Sequence, residues 1–310
     1  MKIVIIGAGA MGCLFGGLLT EQGVDVQLLA VREKQVAALN KHGLTICYQG
    51  RNRKVGVKAV TASDAMSDAF SGADLAVIFV KHAQTQAAAR TAAAVLHKKG
   101  YALTLQNGMG NVEILADLLG EERVLCGTTA QGAMVLSRRK IQHSGTGETI
   151  IGRRQQGRGA IITQVAQVFS GAGISCRAVE DIEPVLWHKL FVNAGINAVT
   201  ALTGLRNGQL LDSEETRMLL RDAVAEAAAV AEASSLAVPA DIIKHVEQVA
   251  QATAANRSSM GQDVDARRPT EIDAINGYIV RKAREKGIAV PVNQTLLRLV
   301  RTLERQYRLL

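Results

Sequence analysis

The chain has 310 residues, of which 48% are hydrophobic, 21% charged and 3% aromatic. That length suits two domains, and the composition excludes a disordered or fibrous chain. The formal charge of +8 comes with basic runs at Arg138–Lys140, Arg153–Arg158, Arg267–Arg268 and along the last helix (Arg298, Arg301, Arg305, Arg308). No aromatics interleave with them and no nucleic-acid signature accompanies them, so solvated faces that attract small anions are the better reading.

The N-terminal segment IVIIGAGAMGCLFGGLL could pass for a signal peptide. GAGAMG interrupts its apolar run after four residues, which a strand, a turn and a helix explain better. Strands are expected at Lys2–Ile6, Asp25–Leu29, Leu75–Val80, Ala102–Leu105 and Val124–Thr128, with helices at about 10–22, 33–41, 83–97 and 110–119. This βαβ rhythm predicts an α/β, Rossmann-like domain with a mostly parallel sheet. Gly-rich turns at 145–147 and 157–159 mark an irregular stretch with antiparallel additions. From about 181 strand signals stop, and helices are expected at 181–202, 213–235, 239–252, 270–286 and 292–306. The domains are therefore 1–180 and an all-α 181–310. Thr270-Glu271-Ile272-Asp273 resembles a capping box, which puts Glu271 in the first turn of a helix.

Gly7-Ala8-Gly9-Ala10-Met11-Gly12 is GxGxxG after a strand and at the start of a helix. Gly7 permits the tight turn, Gly9 lets the backbone approach a pyrophosphate, and Gly12 allows close helix–strand packing. NAD enzymes usually place an acid at the end of the second strand; here Ala30 and Val31 stand there, followed by Arg32 and Lys34. Cations suit a 2′-phosphate and favour NADP(H); the same residues also suit the exposed start of a helix. Lys81, Gln84 and Asn107 fall at carboxyl ends of strands, where open α/β sheets bind ligands.

Residues 187–202, WHKLFVNAGINAVTAL, raise a different question. The stretch suits an interior helix, yet Lys189, Asn193 and Asn197 repeat every four residues and share one stripe. An ammonium and two amides in a line suit a small polar substrate. Four separated cysteines without CxxC, and histidines without HxxxH or HExxH, predict a reducing compartment and no structural metal. No stretch is long and apolar enough to span a bilayer; the Ala-rich 223–237 carries Glu226 and Glu232.

GAGAMG, VKHAQ at 80–84, QNGMGN at 106–111, GTTAQGA at 127–133, WHKLFVNAGINAVTAL and SSMGQDVDARRPTEIDAINGYIV at 258–280 together resemble the ketopantoate reductases. These are NADPH enzymes of pantothenate synthesis, and the matching pieces cover nearly the whole chain. The resemblance implies a helical second domain of the 6-phosphogluconate-dehydrogenase type. It makes Lys189 the general acid, Asn193, Asn197, Asn207 and Ser259 substrate contacts, and Glu271 an acid near substrate hydroxyls and cofactor. Lys81, Asn107 and Ala133 match cofactor contacts. One departure is visible: the family's arginine for the 2′-phosphate falls at Val31, and Arg32 is offset by one. The function implied is NADPH-dependent reduction of a small-molecule 2-keto acid, 2-dehydropantoate, to (R)-pantoate in the cytoplasm, with no nucleic-acid or membrane partner. A paralogue acting on another branched 2-keto acid and a non-catalytic NADPH-binding regulator stay open, as does a homodimer built on the apolar helices.

Overall fold

The computed structural model describes residues 1–65, 72–154 and 159–307. Part of the basic run through Arg158, part of the 157–159 turn, and Arg308 fall outside them. By contacts the chain divides into two units, Met1–Gln106 with Asn111–Glu183, and Asn107–Gly110 with Pro184–Leu310.

The first unit opens with β1 (Lys2–Ile6), α1 (Ala10–Glu21), β2 (Asp25–Ala30) and α2 (Glu33–His42). Then come β3 (Leu44–Tyr48), β4 (Arg51–Val55), β5 (Lys58–Thr61), a short α3 (Ala62–Ala65) and β6 (Ala73–Ile78). A 3₁₀ turn (His82–Gln84), α4 (Thr85–Val95), β7 (Leu96–Thr104), α5 (Asn111–Leu119) and β8 (Val124–Thr129) follow. The unit closes with β9 (Gly132–Ser137), β10 (Lys140–Gly145), β11 (Thr149–Gly152), α6 (Ala160–Gly171) and β12 (Cys176–Ala178).

Eight strands make one sheet in the order β12-β11-β8-β7-β6-β1-β2-β5. All neighbours run parallel except β11 against β8. β1 lies inside the sheet, with Ile3 opposite both Val26 and Leu75, so its residues read as a continuous apolar run. The order reverses at β1 and β6, which makes the carboxyl ends of those two strands the switch point where such sheets bind ligands. Behind it, Phe15 of α1 packs on Phe79 (4.9 Å between ring centroids) and on Phe169 of α6 (5.6 Å).

Three features depart from expectation. Residues 44–55 and 132–145 form a second, four-stranded sheet, β4-β3-β10-β9, in which β3 and β10 pair in parallel with Ile46 opposite Ile141, whereas the antiparallel addition expected in the irregular stretch is β11 on β8. The strands of this sheet are short, and β4 is charged, so alternation is weak in the sequence. Residues 160–171 form a helix that was not anticipated; Ile162, Val165, Ala166 and Phe169 give it a buried stripe. β6 also begins and ends two residues before the expected Leu75–Val80.

The second unit is helical: α7 (Glu183–Thr203), a 3₁₀ turn (Gly208–Leu211), α8 (Glu214–Ala233), α9 (Ile242–Ala252), α10 (Ser259–Asp265), α11 (Asn276–Lys286) and α12 (Pro291–Gln306). The helix expected over 270–286 starts only at Asn276, so Glu271 lies in the turn before it and the capping box is not made. Asp273 pairs with Arg301 (2.6 Å) instead of reaching back, and the Thr270 N–H donates to the Glu304 carboxylate (2.7 Å). Among the described residues no helix is long and apolar enough to cross a membrane.

The start of α12 is capped from another helix. The Glu226 carboxylate on α8 accepts from the backbone N–H groups of Val292 and Asn293 and from Asn293 Nδ2, each at 2.8 Å. Asn293 in turn accepts from Asn276 Nδ2 (2.9 Å), and both amides are fully buried. Glu226→Ala removes three hydrogen bonds at a helix N-terminus and orphans two backbone donors, where a carboxylate also meets the helix dipole. It is expected to lower the unfolding free energy by about 2–4 kcal/mol, read as the shift in a urea melt; an unchanged midpoint contradicts this role.

Candidate active site

At the switch point the three glycines have distinct work. Gly7 has φ +108°, and a Cβ there would press on the Phe79 carbonyl and Val80 at 3.0 Å. A Cβ on Gly12 would collide with the Gly7 carbonyl, whereas one on Gly9 would meet nothing within 4 Å. The loop is tied down by Gly7 and Ala8 N–H groups, both donating to Leu29 O, and by Gln35 Nε2 on Ala8 O (2.7 Å). No side chain caps the start of α1 at Ala10 and Met11. A turn held rigid, open above Gly9, beside uncapped N–H donors fits the pyrophosphate of a dinucleotide.

The ribose end lacks an acid. β2 stops at Ala30, Val31 is 80% exposed, and Arg32 and Lys34 are exposed at the start of α2, so both readings of these cations, phosphate contact and helix start, meet in one place. Lys81 is half-buried just before the 3₁₀ turn that ends at the exposed Gln84. Gln106 Nε2 donates to Val80 O (2.9 Å) and Thr85 Oγ1 (2.8 Å), which locks the loops after β6 and β7 together. Ala133 is half-buried on β9, the strand that packs on α1.

In the helical unit, α7 carries Lys189, Asn193 and Asn197 on one stripe. Lys189 and Asn193 are half-buried and Asn197 is buried. Burial pushes the Lys189 ammonium down from its ordinary 10.5 to about 8. Asn193 Nδ2 is buried without a partner, an amide donor left available for a ligand. Trp187 beside it packs on Phe191 (5.8 Å) and on Tyr278 of α11 (6.0 Å), which fixes the rotation of the helix.

Glu271 is 7% exposed. Its carbonyl accepts from the Ala274 and Ile275 N–H groups, so a tight turn presents its side chain. Asn107–Gly110 counts with this unit: the Met109 N–H donates to Ala274 O (2.8 Å), and Gly108, at φ +78°, leaves no room for a Cβ against Ala274. The half-buried Asn107 is thereby anchored near the Glu271 turn. Asn207 is buried; its N–H donates to Asn256 O (3.0 Å), its Nδ2 to Thr253 Oγ1 (2.9 Å), and its Oδ1 has no partner. Ser259 is exposed as the first residue of α10 and not inside the preceding loop.

Two polar residues escaped sequence reasoning. Thr200 sits eleven residues beyond Lys189, three helical turns along the same stripe, and its hydroxyl bonds Ser258 Oγ (2.7 Å). Ser258 caps α10 by accepting from the Gly261 N–H (3.0 Å). The period of the stripe was a signal for Thr200; the Ser-Ser doublet did not say which serine would cap.

Known proteins match this chain along its length. Residues 3–156 match the family described as "Ketopantoate reductase PanE/ApbA", and residues 181–304 match "Ketopantoate reductase PanE/ApbA C terminal". The 2-dehydropantoate 2-reductase of Halobacterium salinarum is 36% identical over 306 residues, covering 98% of this chain and 99% of that protein. The crystal structure of a PanE/ApbA family ketopantoate reductase from Ralstonia eutropha superposes with TM-score 0.90 at 34% identity, over 99% of this chain and 100% of that one. A ternary structure of D-mandelate dehydrogenase with NADH and anilino(oxo)acetate superposes with TM-score 0.93 at 27% identity, over 99% and 100% of the two chains.

A buried ammonium opposes folding. With a native value of about 8 against 10.5 when unfolded, the unfolded chain binds more protons between those values. The Lys189 contribution to stability therefore improves as pH rises from about 8 to 10.5 and is least favourable below 8. Lys189→Met is expected to stabilise the protein at pH 7 by up to about 3 kcal/mol, with the gain shrinking toward pH 10. A loss of stability at pH 7 in calorimetry contradicts the assignment of burial as the cause.

Proposed function

The chain belongs to the ketopantoate reductase family, and we propose that it reduces 2-dehydropantoate to (R)-pantoate with NADPH, a step of pantothenate and coenzyme A synthesis. The observation that carries the reading is Lys189, an ammonium whose burial brings its proton affinity near neutrality beside the unpartnered Asn193 amide. NADPH, when bound, supplies the hydride that goes to the keto carbon. The turn from Gly7 through Ala8, Gly9, Ala10 and Met11 to Gly12 fits its pyrophosphate, and Arg32 fits its 2′-phosphate. Lys81, Gln84, Asn107, Ala133 and Glu271 are the further cofactor contacts in this reading.

As the carbonyl π pair moves onto oxygen, Lys189 Nζ gives that oxygen its proton and is left as the amine, which solvent reprotonates. Asn193 and Asn197 hold the substrate by neutral amides that add no charge next to the acid. Asn207 and Asn107 extend that contact, and the Ser259 hydroxyl takes the substrate carboxylate. Glu271 accepts from a substrate hydroxyl and helps place Lys189. Four free cysteines among the described residues, three of them buried, fit a cytoplasmic enzyme. The exposed Met218, Leu219 and Leu299 of the helical unit would serve a homodimer contact.

A second reading is a reductase of another 2-keto acid. The Lys-Asn-Asn stripe reads only the keto-acid core, and the superposition on D-mandelate dehydrogenase favours keeping this reading. Absorbance at 340 nm, followed with NADPH or NADH against 2-dehydropantoate, 2-ketoisovalerate and phenylglyoxylate, separates the two. The highest kcat/KM is expected for 2-dehydropantoate with NADPH; a preference for either other acid replaces the substrate. Lys189→Ala is expected to lower kcat by about 10²–10⁴-fold. The wild-type rate should fall above about pH 8 as the ammonium deprotonates. A flat profile from pH 7 to 10 removes Lys189 as the acid.

A further inference from the structure

Arg257 is a residue to which neither the motifs nor the proposed chemistry gives a task. It is half-buried just before the Ser258-Ser259 doublet. Its Nη1 donates to Thr200 O (2.6 Å) and Leu205 O (2.9 Å), and its Nη2 to Gly261 O (3.5 Å). Its Nε and Nη2 also grip the Asp265 carboxylate at 2.9 and 2.8 Å. One guanidinium thus reaches the last turn of α7, the loop after it and both ends of α10. Only arginine presents five donors in a flat fork, and a cation also suits carbonyls at a helix C-terminus.

The surroundings are built for this clamp. A Cβ on Gly261 would lie 2.5 Å from Arg257 Cζ and 2.6 Å from Nη1, so the glycine makes room for the guanidinium. Gln262 Nε2 donates to Arg257 O (2.9 Å), which holds the backbone at the same point. The two chain neighbours of Arg257 are held as well: Ser258 by the Thr200 bond and its cap of α10, and Asn256 by its carbonyl accepting from the Asn207 N–H. Asp265 is largely exposed, and such an ion pair contributes little alone. The bonds to carbonyl oxygens are what fix one segment against another.

We propose that Arg257 is a positioning residue for substrate carboxylate binding: it sets the Asn256–Ser259 segment against the end of α7, and with it the spacing of Ser259 from Asn207 and Asn197. The inference rests on the proposed function, in which those three residues meet the 2-keto acid. Arg257 touches no reacting atom, so its loss should weaken substrate capture and leave the chemical step and cofactor binding nearly intact.

Two independent measurements test this on the full-length protein. The first is hydrogen exchange at the Asn207 and Gly261 amides in wild type, Arg257→Ala, Arg257→Lys and Asp265→Asn. Arg257→Ala should speed both by about tenfold, the loss of one or two hydrogen bonds, without change in α8. Arg257→Lys should resemble Arg257→Ala because the fork is lost, and Asp265→Asn should change both amides by less. The second measurement is steady-state kinetics with 2-dehydropantoate, together with NADPH titration by fluorescence. In Arg257→Ala, KM should rise by about tenfold, with kcat and NADPH affinity nearly unchanged. Unchanged exchange at Asn207 and Gly261 overturns the proposal, and so does faster exchange throughout the helical unit, which marks a general structural role. Local loosening with an unaltered KM also overturns it. A wild-type chain inactive on every 2-keto acid overturns the proposed function instead, and exchange alone then decides whether Arg257 holds the segment.

Discussion

A lysine ammonium partly withdrawn from water, on a mostly apolar helix that also carries Asn193 and Asn197, is the constraint around which the helical unit is arranged. Much of α7 is core: Leu186, Trp187, Leu190, Phe191 and the run from Ala194 to Ala201 are buried. Desolvation disfavours the charged form, and the same desolvation makes Lys189 a usable acid near neutral pH. The helix must therefore be prevented from rotating to return the ammonium to water. Trp187 packed on Tyr278 resists rotation near the start, and the Thr200 hydroxyl and carbonyl are held near the end. Stability given up at Lys189 is the expected companion of a site tuned for proton transfer.

The two units are built by different means. In the first, backbone shapes the switch point: Gly7 and Gly12 admit a turn and a helix where side chains would collide, and the opening above Gly9 stays clear. The Gln106 side chain serves the scaffold by tying the loops at Val80 and Thr85. In the second, side chains carry the polar groups and the backbone is spent on helices. The unpartnered Asn193 Nδ2 and Asn207 Oδ1 are deviations from the rule that buried polar atoms are satisfied. They occur on two of the residues expected to meet substrate, although Asn276 Oδ1 and Tyr307 Oη in the same unit are also without a partner.

Much of this was legible because it is local. The β1–α1–β2 unit shows in the glycine spacing and apolar runs, and the α7 stripe shows in a four-residue repeat. What escaped depends on distant partners. β4 has four exposed residues and one buried, so only its pairing with β3 makes it a strand. The Thr270–Asp273 pattern looked like a helix start, yet Arg301 and Glu304, some thirty residues on, took the groups that a capping box would have used. α6 is the instructive omission, since Ile162, Val165, Ala166 and Phe169 repeat at helical spacing in the sequence itself. Among the expected site residues, Lys189, Asn193 and Asn197 are suggested by periodicity, whereas Asn207, Ser259 and Glu271 are suggested only by the family resemblance. Arg257 was invisible because its meaning lies in carbonyls more than fifty residues earlier.

The most direct test of the account is the ionisation of Lys189 itself. Lysines labelled at Cε and Nζ can be followed by NMR from pH 6 to 11, with Lys189→Ala assigning the signal. The account predicts a titration near pH 8, well below the ordinary 10.5. A midpoint near 10.5 would mean that the ammonium is solvated like any surface lysine, and the central claim would fall.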